Sequence, residues 1–148
     1  MKRAAGAQGR KKIATYAADR ARELMRKLAK EVERSRKHGD ADAIHDLRVS
    51  VRRLAQCLEV FGGLFPDESA KRLRKRIRKI RRLAGEVRDR DITIEKLSGL
   101  DIPAPDGFAE RMRKERADAY DVLAAKLERL SRKKRIAAWA RDLGLERK

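Results

Sequence analysis

Residues 44–61 read Ile-His-Asp-Leu-Arg-Val-Ser-Val-Arg-Arg-Leu-Ala-Gln-Cys-Leu-Glu-Val-Phe. Wound as a helix, Ile44, Leu47, Val51, Leu54, Leu58 and Phe61 recur at spacings of 3, 4, 3, 4 and 3 and form one continuous apolar seam. Beside it His45, Arg48 and Arg52 fall at spacings of 3 and 4, so they stack along a second stripe. Cationic or titratable groups on one rigid rod repel each other unless an anion sits among them. The seam therefore predicts a helix with one buried face, and the stripe predicts a holder of polyanions.

Similar seams lie on either side. Ala17, Ala21, Leu24, Leu28 and Val32 mark a first helix over about residues 11–37, with Gly39 as its stop. Asp40 or Asp42 can cap the second helix, residues 40–62, which ends at Gly62-Gly63. Pro66-Asp67 opens a third, residues 67–97, whose seam is Leu73, Ile77, Ile80, Ala84 and Val87; the spacing leaves open whether it breaks at Gly85. The stretch from Ser98 to Gly107, with Pro103 and Pro105, is a connector. Asp106 then caps a fourth helix, residues 107–134, with Phe108, Met112, Ala119, Leu123, Leu127 and Leu130 as its seam. A short C-terminal helix over 136–143 carries Trp139. Short connections favour antiparallel neighbours. The expected fold is all-α: one domain over residues 1–148, an antiparallel up-down four-helix bundle with long helices.

Composition agrees with this. Lys and Arg number 41 against 23 Asp and Glu, a net charge of +18. Such an excess destabilises a compact chain by self-repulsion, which a polyanionic partner offsets. With one cysteine, Cys57, no internal disulfide can form; beside the seam it reads as a buried, reduced thiol rather than a reactive one. The basic N-terminus is not followed by an apolar segment of a secretory signal, and no run approaches the roughly 20 apolar residues of a membrane span. The expected location is the cytoplasm, in soluble form and without a membrane partner. One cysteine and two distant histidines make a zinc site unfavourable, and no cofactor is expected.

The third helix carries the densest charge. Nine of the twelve residues from Lys71 to Arg82 are basic, and the other three are seam positions. This run is either a solvated face paired with acids from other helices or an anion-binding surface, whose arginines can grip phosphate oxygens in pairs. A helix-turn-helix reader of DNA would carry its base contacts at the start of a short recognition helix, not spread along long ones. Single-strand binding adds exposed aromatics for stacking. The aromatics here are Tyr16, Phe61, Phe65, Phe108, Tyr120 and Trp139, and none interleaves with the basic run. Readout of a charged backbone fits best, and a sequence-neutral DNA- or RNA-binding protein stays the alternative.

His45-Asp46-Leu47-Arg48-Val49-Ser50-Val51-Arg52-Arg53-Leu54, followed by Phe61 and Phe65-Pro66, resembles the signature of the CHAD domain, the conserved histidine α-helical domain. Leu83-Ala84-Gly85-Glu86-Val87-Arg88-Asp89-Arg90-Asp91-Ile92, about 40 residues on, resembles that family's second motif. The resemblance implies a non-catalytic helical module that binds inorganic polyphosphate, found at times beside a triphosphatase-type enzyme and, by extension, at polyphosphate granules. Carried over residue by residue, it implies His45, Arg48, Arg52 and Arg53 as phosphate ligands on the second helix. From the third it implies Arg74, Lys75, Arg78, Arg81, Arg82 and Arg88.

Two features depart from the family pattern. Ala55 stands where a further arginine is common, and the chain holds one His-x-x-Arg element and one bundle where a full CHAD domain resembles two. A homodimer, with two basic faces on a shared groove, would rebuild the double bundle. If phosphate favours the charged form of His45, affinity should rise as pH falls below about 7; otherwise His45 is a helix-start residue bonded to a neighbouring Asp. His38, before Gly39, reads as a surface group. Glu86, Asp89, Asp91 and Glu95 could hold Mg²⁺ for phosphate hydrolysis. Interleaved with Arg88, Arg90 and Lys96, they read better as salt-bridge partners, with Asp89 and Asp91 orienting arginines.

Overall fold

The computed structural model describes residues 2–100, 103 and 105–145, with side chains from Gly6 onward. Its elements are α1 (Lys2–Lys37), α2 (Ala41–Phe61), a 3₁₀ turn (Gly62–Leu64), α3 (Asp67–Ser98), α4 (Phe108–Arg132) and α5 (Arg135–Asp142). Among the described residues there is no strand. The long helices close a ring of contacts, α1 to α2, α2 to α3, α3 to α4 and α4 back to α1. The molecule is an all-helical bundle.

The predicted seams line its centre. Every named seam residue of α1 and α3 is buried, as are Ile44, Leu47, Val51, Leu54 and Leu58 of α2. On α4 only Leu123, Leu127 and Leu130 are buried; Phe108 and Met112 are half-buried at the open start of that helix. Trp139, Leu143 and Leu145 close one end, and Arg22 on α1 donates from Nε to the Leu145 carbonyl at 2.6 Å. Cys57 is buried and free, and burial pushes its thiol pKa up, which favours the inert thiol over a reactive one.

Several boundaries differ from the sequence reading, each for a local reason. α1 begins at Lys2 rather than near Lys11. Among its described side chains, from Gly6 on, the first buried one is Ala17, so the turns from Gly6 to Tyr16 run beyond the core. Ala4, Ala5, Ala7 and Gln8 have high helix propensity, and extending a formed helix is cheap compared with starting one. Asp40 caps α2, accepting from the Ala43 N–H at 2.8 Å. α3 passes through Gly85 unbroken. Asp106 does not cap α4: the boundary residue is Gly107 at φ 75°, a left-handed conformation that glycine adopts without strain. Asp101, Ile102 and Ala104 of the connector lie outside the described residues.

Gly39 is a stop of another kind than a left-handed cap. A Cβ there would overlap the Tyr120 ring from α4. The Tyr120 hydroxyl donates to the Ser35 carbonyl at 2.7 Å, and Arg116 donates to the Gly39 carbonyl. The α1–α2 connection is thus pinned from α4, and this fixes where the stripe of α2 begins.

Candidate anion-binding site

α2 and α3 lie side by side, and their flanks meet in a small cavity of about 80 Å³ lined by His45, Arg48, Val49, Arg52 and Arg81. The three α2 residues are the predicted stripe. Arg81 is the one α3 residue that lines it; Arg74, Arg78 and Arg88 fall on the same flank of α3 by helical steps but at other levels along the helix. No carboxylate lines the cavity.

None of the ten sequence-predicted ligands forms an ion pair or a side-chain hydrogen bond among the described residues. The carboxylates on the surface serve other cations instead. Asp46 pairs with Arg34 of α1, Glu128 with Arg36, and Asp67 with Lys71 at the start of the basic run. His45 is exposed and makes no bond to a neighbouring Asp. Arg48 stands out: it is half-buried, and its Nε is shut off from the surface with no protein acceptor. A buried donor without a partner costs about 1–3 kcal/mol. A fold that keeps one beside three other basic side chains has an acceptor to gain from an incoming oxyanion.

The structure does not unite all ten residues. Arg53 follows Arg52 in sequence, but one helical step of about 100° turns it away. It lines a separate cleft of about 320 Å³ between α1 and α2, with Lys27, Lys30, Glu31 and Asp46. Arg88 lines a wider cleft of about 510 Å³ with His45, but beside Asp42, Asp91 and Glu95, so that end of the groove has mixed charge. Arg74 lies against the backbone of Gly62 at the opposite end of α3. Lys75, Arg78 and Arg82 are exposed and line none of these three clefts. Ala55, at the position of the missing cation, is half-buried against the core.

The acidic residues of α3 also separate. Asp91 forms a mostly buried ion pair with Arg116 of α4 at 2.9 Å, and Arg90 pairs with Glu115 of α4 at 3.7 Å. The partners sit on the neighbouring helix, not along α3 as the interleaving suggested. Asp89 orients no arginine; its backbone carbonyl accepts from the Thr93 hydroxyl at 2.9 Å. Among the described residues no group of three His, Cys, Asp or Glu side chains converges to hold a metal.

With this geometry in view, comparison with known proteins gives one positive result: the model of the family described as CHAD domain matches residues 15–147. The chain belongs to the CHAD domain family. The match begins within two residues of Ala17, the first buried position of α1, so the family unit and the packed bundle coincide. No curated protein and no solved structure matches the chain. No helix among the described residues is long and apolar enough to cross a membrane.

Proposed function

We propose that this CHAD protein binds inorganic polyphosphate, without catalysing a reaction on it, through the groove between α2 and α3. The observation that carries the reading is the cavity of His45, Arg48, Arg52 and Arg81, free of carboxylates and holding the unpartnered Arg48 Nε. Polyphosphate offers charge at every unit and no bases, so it rewards charge density and needs no stacking. The basic run supports this. Arg74, Lys75, Arg78, Arg81 and Arg82 keep their charges unpaired along one helix, where a linear polyanion meets several in turn. Arg53 and Arg88 contribute at the margins, one toward α1 and the other in mixed charge.

A single bundle presents this α2–α3 groove on one basic face. Two chains facing each other would enclose the polymer between two basic faces, and the working form we favour is such a homodimer. Its place would be the cytoplasm, where it would meet polyphosphate granules.

Competition tests the reading. Protein bound to fluorescent polyphosphate is challenged with an excess of duplex DNA at matched phosphate concentration. A polyphosphate binder keeps its polymer. A sequence-neutral nucleic-acid protein releases it, and that result would reject the proposal.

A further inference from the structure

The α3–α4 groove has opposite chemistry at its two ends. At one end it is neutralised across the gap, by Arg90 with Glu115 and by Asp91 with Arg116. The helices run antiparallel, so this register fixes every pairing further along. Eleven residues back on α3 from Arg90 stands Lys79, and eleven forward on α4 from Glu115 stands Lys126. One turn beyond, Arg76 faces Arg129. Arg135 opens α5, which packs against both α3 and α4. Where the first end joins opposite charges, this end sets like charges against each other.

None of these five cations forms an ion pair or side-chain hydrogen bond among the described residues. Glu128, next to Arg129 in sequence, is turned to Arg36 of α1. Lys126 is half-buried, and its ammonium is held below the usual lysine range, first by burial and then by Lys79, Arg129, Arg76 and Arg135. Burial and these four neighbouring cations act in the same direction, both disfavouring the charged form of Lys126.

We propose that Arg76, Lys79, Lys126, Arg129 and Arg135 form a second phosphate site, on the flank of α3 opposite the His45 cavity, that takes a linear oligophosphate. The cations are strung over a helical turn on each wall, so an elongated anion meets more of them than a single phosphate does. No exposed aromatic side chain stands among them for a base to stack on, which favours an inorganic chain over a nucleic acid. The identity of the ligand rests on the polyphosphate reading, while the site itself stands on its own geometry. With phosphate held on both flanks of α3, one chain can join two segments of polymer.

Calorimetry with inorganic tripolyphosphate on the full chain reads the number of sites. The wild type is expected to bind two, and Lys79→Gln with Lys126→Gln to bind one. Arg48→Gln with Arg81→Gln is expected to bind one as well, at the opposite flank. The lysine variant relieves repulsion, so its melting temperature without phosphate should equal or exceed that of the wild type. On wild-type protein with ¹³C-methylated lysines, the Lys126 titration midpoint should move up when tripolyphosphate is added, because an anion favours the ammonium. It should do so in the Arg48→Gln, Arg81→Gln variant too. An unmoved Lys126 midpoint, or undiminished stoichiometry in the lysine variant, overturns the second site. If the arginine pair changes nothing while the lysine pair abolishes binding, the His45 site fails and the second site stands.

Discussion

At the scale of one residue, Arg48 is the side chain on which the proposed binding turns. Its guanidinium sits half-buried between α2 and α3, and its Nε has no acceptor in the protein. His45 and Arg52 flank it a turn away on either side, and Arg81 faces it from α3. Arg53 makes the contrast: one residue on from Arg52, it belongs to another cleft. A sequence motif lists neighbours along the chain, whereas a helix groups residues three and four apart. On the structural side, Gly39 is held by Tyr120. Gly39→Ala should cost about 1–3 kcal/mol, because the added methyl overlaps the ring and the ring is tied through its hydroxyl to Ser35. Denaturant unfolding of Gly39→Ala, Tyr120→Ala and the double variant checks this. The double variant should cost less than the sum of the singles. Additive costs would mean that the ring and the glycine do not meet.

At the scale of elements, α1 divides into a packed part and an overhang. From Gly6 to Tyr16 its side chains are exposed apart from a half-buried Gly9, and burial starts at Ala17. Deleting residues 2–14 should therefore leave the melting temperature within a few degrees of the full chain, since surface changes outside the core cost little. A large drop would show that the overhang packs on the bundle. The helices that build the core were legible because burial repeats with the helical period, and the seams of α1, α2 and α3 are buried as read except for Phe61, the last residue of α2, which is half-buried. The overhang was not legible from a seam, having none; only propensity marks it. Contacts between helices were also out of reach. Asp91 to Arg116 and Arg90 to Glu115 depend on the register of α3 against α4, which packing sets and no spacing along one helix reveals. The same register hid the cluster around Lys126, whose members lie on three helices. In hindsight its signal was the surplus of basic residues on α4 facing the most basic part of α3.

For the whole molecule, the net charge of +18 is not spread evenly in its effect. Carboxylates serve α1 and the far ends of α3, and they leave the middle of α3 and the facing stripe of α2 unpaired. A protein that bound polyphosphate by net charge alone would be indifferent to which arginines it lost. Binding at the α2–α3 cavity, as proposed, would be sensitive to position. The decisive measurement is polyphosphate affinity, by fluorescence anisotropy at fixed moderate salt, of two variants with the same loss of charge. One is Arg48→Gln with Arg81→Gln; the other is Arg10→Gln with Arg26→Gln, both exposed on α1 and away from the cavity. Charge-assisted hydrogen bonds contribute about 1.5–3 kcal/mol each, so the cavity variant should weaken binding at least about tenfold more than the α1 variant. Equal losses in the two would contradict a built site and leave only a diffuse positive surface.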